Sequence, residues 1–288
     1  MAKSRGGQAK PFPSIPRIDW AHPLAQGLIF YGYDTGAGTI FDLCSFNNAK
    51  ETRLGTVDPN SISAFGSGIT YGGAGTRYFN SGAAIQNLTS GNLSCACAFV
   101  KTGTVGSFTR PFGRTANNGG SNPYANYAFD INAAGGGQSQ IQVDFNLQTN
   151  AVSVGSVAFP GDNLFTSAAA TFSWSGSQTT AWIYVNGGST STSLTDVRQL
   201  TSFTTNDAII FSGQSAASSQ NQFVGFVYYG AVWNRTLTKA EVLQLHQDPY
   251  AFLIYPEDEM LELAVAAAGW AGWQGYELRQ YIDKSLLT

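Results

Sequence analysis

The strongest constraint on this chain is its rhythm. From about residue 21 to 255, short apolar, β-branched and aromatic segments alternate with clusters of turn-forming residues. LIFYGY, SCACAFVK, YAFDI, QIQVDFN, VSVGSVAF, AATFSW, AWIYVN, AIIFSG and FVGFVYYGAVWN read as strands. Between them stand GAG, NNGGSNP, AAGGG, PGDN and NGG, whose glycine, asparagine and proline supply the dihedral angles that tight turns need. Helical periodicity is almost absent before residue 238. Many short strands at this spacing predict an all-β, antiparallel jelly-roll β-sandwich. Composition agrees. Only 11% of the residues are charged, against roughly 25% in an ordinary soluble domain, too few for the wet faces of a helical bundle. A hydrophobic content of 43% is ample for a core and argues against disorder.

The chain divides into three parts. Residues 1–20 form a basic arm with Lys3, Arg5, Lys10 and Arg17 and no acid before Asp19; Pro11, Pro13 and Pro16 favour an extended conformation. Residues 21–255 carry the sandwich. Residues 256–288 read as a short helical tail: Pro256 and the acids Glu257, Asp258 and Glu259 suit a helix start, and Met260, Leu261, Ala264, Val265 and Ala268 make an apolar stripe. A second, shorter helical face follows at Leu278, Tyr281 and Ile282. A net charge of −3 offers no global attraction to nucleic acid or to an anionic membrane. The arm lacks the apolar stretch of a signal peptide, and no segment approaches the roughly 20 apolar residues of a membrane span. The expectation is synthesis and folding in a cytoplasm, with neither nucleic acid nor membrane as partner. Cys95 and Cys97 lie two apart in LSCACAFV. In a strand they share a face at about 7 Å, too far for a disulfide, so they are expected as buried free thiols.

The stretch from Phe223 to Tyr250 is the most informative. Phe223, Gly225, Val227, Tyr229, Ala231 and Trp233 alternate with Val224, Phe226, Tyr228 and Val232, which predicts a strand covered on both faces. Thr238 and Glu241 have capping-box spacing, Leu237 and Val242 can form a hydrophobic staple, and Pro249 stops the helix. Glu241 is therefore expected to cap rather than to catalyse.

Gly225, Val227, Val232, Trp233, Arg235, Leu237, Thr238 and Glu241 together resemble the closing segment of LamG-type, concanavalin A-like lectin/glucanase domains. TAWIYVNGGS (180–189) is similar to the hairpin of that family that ends in Asn-Gly, here Asn186-Gly187. GLIFYGYDTGAGTIFDLCSFNN (27–48) resembles its opening segment, and DPYAFL resembles an ending seen in phage-encoded members. The resemblance spans most of residues 24–250 in the family's order. It implies the concanavalin A-like sandwich and, with it, several candidate functions.

Glycanases of this fold place paired carboxylates along one strand, where nucleophile and acid flank the glycosidic bond. Between Glu51 and Glu241 the chain has no glutamate, and Asp58, Asp130, Asp144, Asp162, Asp196 and Asp207 stand singly. The two histidines, His22 and His246, lie outside the strand-rich body. The expectation is a protein that is not an enzyme. A carbohydrate-binding role has candidate residues in the loop 113–127, where Asn117, Asn118, Asn122, Tyr124 and Tyr127 combine amides for hydroxyls with aromatic faces for sugar rings. No cofactor is expected; calcium, which many members of the family hold in loops, has candidate ligands in Asp42, Asn47 and Asn48. A basic arm, a low-charge sandwich and an apolar tail converge on a structural protein of a bacteriophage virion, of capsid-decoration or head or tail fibre type. It would dock on other virion proteins through residues 1–20 and 256–288, display the sandwich at the virion surface for adhesion to glycans, and assemble as a homo-oligomer, plausibly a trimer. The alternative is a soluble lectin-like module.

Overall fold

A computed structural model describes residues 15–34, 39–45, 50–55, 60–63, 66–72, 75–80, 92–103, 108–115, 125–132, 140–147, 150–175, 179–194, 208–212 and 222–255. The predicted helices of the tail fall outside them. The strands are β1 (Arg17–Ile18), β2 (Leu28–Asp34), β3 (Ile40–Asp42), β4 (Thr52–Gly55), β5 (Asn60–Ser63), β6 (Gly66–Gly72), β7 (Gly75–Asn80), β8 (Leu93–Lys101) and β9 (Phe108–Thr115). They continue as β10 (Ala125–Asn132), β11 (Gln140–Leu147), β12 (Asn150–Ala158), β13 (Phe165–Trp174), β14 (Thr179–Val185), β15 (Gly188–Leu194), β16 (Ala208–Phe211), β17 (Val224–Trp233) and β18 (Leu253–Ile254). Among the described residues there is one α-helix, α1 (Lys239–Gln247), and a 3-10 turn at Pro23–Ala25.

Two antiparallel sheets make the sandwich, as the strand rhythm predicts. One is seven-stranded, in the order β12-β11-β10-β9-β16-β7-β4. The other runs β15-β14-β13-β8-β17-β2-β3, and β6, itself paired with β5, joins the N-terminal half of β17. Between the sheets lies an aromatic core of Phe30, Phe79, Phe99, Phe112, Phe129 and Phe211 with Cys95, Cys97, Val227 and Val232. Edge-to-face contacts such as Phe30–Phe79 and Phe99–Phe223 lock the rings. Both cysteines are free, and burial raises their thiol pKa values.

A second core covers the outer face of the β17 sheet. Leu24, Ala25 and Leu28 come from the start of the chain, Leu237, Val242 and Leu245 from α1, and Phe252, Leu253 and Tyr255 from beyond it. They pack on Tyr31, Tyr229, Ala231 and Trp233. The nine-residue β8 is buried at every position, and β17 is buried on both faces, as expected. The face assignment along β17 differs from strict alternation. Phe223 and Val227 point into the inner core with Val232, whereas Tyr228, Tyr229, Ala231 and Trp233 belong to the outer one. The register against β8 shifts between Val227 and Tyr229, and this bulge flips every later side chain.

The N-terminal arm does not remain apart from the body along its whole length. β1 pairs with β18, Arg17 opposite Ile254 and Ile18 opposite Leu253, and Ile18 is buried in the outer core. Because the pair is antiparallel, residues 1–14 and 256–288 attach to the body side by side.

Gly230 has no space for a side chain, since a Cβ there would overlap the Phe112 ring across the sandwich. Gly230→Ala should destabilise the fold by about 1–3 kcal/mol through overpacking, read as a lower urea midpoint with an unchanged slope, and Phe112→Leu in the same chain should restore part of the loss.

Candidate functional site

The junction after β17 is built for closure. Thr238 is the N-cap of α1, and its hydroxyl accepts a hydrogen bond from the Glu241 amide while the Glu241 carboxylate accepts one from the Thr238 amide. Arg235 donates two parallel bonds to the same carboxylate, at 3.0 Å from Nη1 and 2.6 Å from Nη2. Its Nε also donates to the Gln26 carbonyl and its Nη2 to that of Pro23. Burial raises the Glu241 pKa, but the bonds from Arg235 and Thr238 outweigh it and hold the carboxyl below its ordinary range. Trp233 Nε1 donates to the Leu24 carbonyl at 2.7 Å. Ser94 Oγ donates to the Arg235 carbonyl and accepts from the Leu237 amide. This network binds the start of the chain, β17 and α1 together. Both carboxylate oxygens of Glu241 accept structural hydrogen bonds.

The other carboxylates with described side chains are occupied in the same way. Asp130 takes a bidentate bond from Arg110, with both side chains only 3% exposed. Asp162 accepts from Lys101 at 2.6 Å, and the Lys101 ammonium lies 5.7 Å from the centre of the Phe159 ring. Glu51 Oε2 accepts from the Ile40 amide at 2.6 Å. Asp19 and Asp248 accept from the Ala21 and Tyr250 amides in local turns. The histidines follow suit. His22 Nδ1 caps the 3-10 turn at the Leu24 amide, and burial lowers the pKa of His246 against a raising backbone bond at Asn186.

The predicted binding residues scatter. Tyr127 lies in β10, fully buried in the inner core, so its ring is closed to a sugar. The expectation placed it in a loop, but β9 and β10 extend to Thr115 and from Ala125, and the pairing of Arg114 with Tyr127 draws that residue into the sheet. Asn117, Asn118, Asn122 and Tyr124 lie outside the described residues. So do Asn47 and Asn48. Asp42 ends β3 at 7% exposure, and its Oδ1 accepts from the Tyr31 and Cys44 amides at 3.2 and 3.0 Å. That is the geometry of a turn acceptor. Among the described residues no group of three or more His, Cys, Asp or Glu could hold a metal ion.

One feature of this surface escaped the sequence reading. In β14, Ala181, Ile183 and Val185 point into the inner core, so Trp182 and Tyr184 share the outer face. Their rings stack at 6.2 Å with an interplanar angle of 21°. Trp182 is 39% exposed, whereas Tyr184 is nearly buried. The signal was present in the alternation of AWIYV, which also marks the family hairpin.

A family model described as the concanavalin A-like lectin/glucanases superfamily matches residues 72–243, more than half of the chain. The chain belongs to that superfamily. The match runs from the end of β6 into α1, and the segment 27–48 enters this superfamily fold as β2 and β3, beside β17. No curated protein matches the chain by sequence. Among solved structures, the serotype C1 botulinum neurotoxin binding domain is similar at 14% identity and a TM-score of 0.54, over 77% of this chain and 52% of that one. The binding domain of botulinum neurotoxin DC in complex with SialylT is similar at 15% identity and a TM-score of 0.52, over 77% and 52%. Trypanosoma rangeli sialidase in complex with 2,3-difluorosialic acid is similar at 11% identity and a TM-score of 0.52, over 79% and 34%. The chain thus spans about half the length of the first of these structures, and the likeness is one of fold.

Burial pushes the Asp42 carboxyl up from 3.8 to about 6, against two backbone bonds that lower it. The folded state therefore holds that proton more tightly than the unfolded chain. The stability contributed by this group is fully present below about 3.8 and is lost as the pH rises through about 6. Asp42→Asn, which can keep both amide bonds, should exceed the wild type in stability at about pH 7.5 by at most about 2–3 kcal/mol, and the two should converge near pH 4. Thermal melting across that range checks the sign.

Proposed function

We propose that the chain is a non-catalytic structural protein of a bacteriophage virion that displays its lectin-like sandwich for adhesion to glycans. The observation that carries this reading is the pairing of β1 with β18, which attaches the basic residues 1–14 and the tail 256–288 to the body side by side. That corner lies over the outer face of the β17 sheet, while the loop between β9 and β10 belongs to the other sheet. Commitment of each described carboxylate to a structural bond supports the absence of catalysis, since a glycosidase needs two carboxyl groups free to exchange protons or attack carbon. Asn117, Asn118, Asn122 and Tyr124 would form the glycan contact, with no cofactor required. A homo-oligomer, with a trimer as the expected state, would multiply weak single-site affinity.

A second reading, a soluble carbohydrate-binding module, draws support from the botulinum neurotoxin DC binding domain, a similar fold in complex with SialylT. Purified virions separate the two: a fixed copy number per particle is expected on the structural reading, and absence from particles overturns it. Deletion of residues 1–14 or of 256–288 should abolish incorporation and leave the melting temperature of the body within a few degrees of the wild type. The N-terminal cut stops at 14 because Ile18 is a core residue. Glycan-array binding should survive EDTA and fall at least about tenfold in Tyr124→Ala, a loss of about 1.4 kcal/mol. Release of reducing sugar from β-glucans would contradict the non-catalytic assignment.

A further inference from the structure

The outer face of β14 carries a second candidate surface. Trp182 and Tyr184 stand on it as a near-coplanar pair. The Tyr184 hydroxyl is hydrogen-bonded to Thr171, which fixes that ring. At 39% exposure, Trp182 leaves on the order of 100 Å² open, taking a whole Trp as up to about 250 Å². Such an area is far below the roughly 800 Å² per partner of a stable protein interface, so a second copy of the chain is a poor occupant.

The register around Trp182 specifies the chemistry further. Thr171 of β13 and Ser191 of β15 stand directly opposite it. Ala169 and Ser173 lie diagonal to it on β13, and Ser189 and Ser193 on β15. None of these positions is charged; Ser189 is exposed and Ser173 half-buried, whereas Thr171 is buried and bonded to Tyr184. A flat indole with the Ser173 and Ser189 positions diagonal to it matches a pyranose, whose axial C–H bonds make an apolar face and whose rim makes hydrogen bonds. The positions opposite and diagonal to Trp182 on β13 and β15 thus supply no cation to neutralise a carboxylate or sulfate on the ligand. Along the sheet, β14 is four strands from β2, on the order of 19 Å at the usual strand spacing, so the terminal segments attach well away from it.

We propose that Trp182, backed by Tyr184, is a stacking platform for a neutral oligosaccharide. The proposal does not depend on the virion reading or on the loop contact.

The test uses the full chain with laminarihexaose, cellohexaose and maltohexaose as neutral probes and sialyllactose as the anionic one, titrated to about 10 mM by calorimetry and tryptophan fluorescence. At least one neutral hexasaccharide should bind, at least about tenfold more weakly to Trp182→Ala and within about threefold of wild type to Trp182→Phe, which keeps an aromatic face. Tyr124→Ala should leave this binding unchanged while testing the loop separately. Circular dichroism melting verifies that each variant folds. The proposal is overturned if no neutral probe binds, if Trp182→Ala binds like the wild type, if sialyllactose binding also depends on Trp182, or if Trp182→Ala alters the sedimentation of the free protein instead.

Discussion

Burial of β17 on both faces is the constraint on which the rest of the structure depends. A strand covered on one side needs only one sheet opposite it. β17 has the second sheet beneath it and, above it, a layer assembled from the 3-10 turn, α1 and the segment around Phe252. The turn lies more than 200 residues from the other two in sequence, so a handful of directed bonds must bring it to them. Trp233 reaches Leu24, Arg235 reaches Pro23, Gln26 and Glu241, and Tyr31 donates to the Pro249 carbonyl. Arg235 can serve three partners because its guanidinium presents five donors in a rigid fork. A lysine would supply the charge and lose the geometry.

The scarcity of charge follows from this plan. Strands buried on both faces leave little wet surface for Lys and Glu, and a buried charge such as Arg110 meets an opposite one. Arg110 with Asp130 and Lys101 with Asp162 place a cation of the sheets beside a single carboxylate. Removing one member of a buried pair leaves an uncompensated charge and typically costs about 3–5 kcal/mol, which makes such residues poor candidates for trade with a substrate. Recognition then falls to hydroxyl groups, amides and exposed aromatic rings, the groups this composition leaves on the surface.

How far the fold was legible depended on whether a strand carried its own apolar signal. β8 and β17 are long and apolar, and the sequence marks them nearly to their ends, whereas it marks only 169–174 of β13. β5, β6 and β15 are NSIS, GSGITYG and GSTSTSL, segments whose local pattern is that of turns and which become strands because a neighbour supplies the hydrogen-bonding edge. β9 was hidden by Pro111 and two arginines, one of them neutralised by Asp130 twenty positions on. The bulge after Val227 has no signature in an apolar run, so the face of Tyr229 was assigned wrongly. The capping box was read correctly because it depends on spacing within four residues. The same distinction explains the site. Tyr127 reads as a loop aromatic because the turn chemistry of 113–127 runs into the start of β10, and the bonds of Asp42 Oδ1 to the Tyr31 and Cys44 amides have no mark in the sequence.

Trp182 shows why fold and function are hard to separate in such a chain. The alternation that sends Ala181, Ile183 and Val185 into the core necessarily turns the residues between them outward. The inner set is answerable to packing against the opposite sheet, and each of its members has neighbours that forbid a change in size. The outer set is less constrained where it meets solvent, and the exposed fraction of a large aromatic there adds little stability. Tyr184 retains a packing role because it belongs to the outer core, and Trp182, one register step further from that core, does not. An indole stacked on a tyrosine and still 39% exposed is therefore the group on this face that we propose for contact from outside the chain.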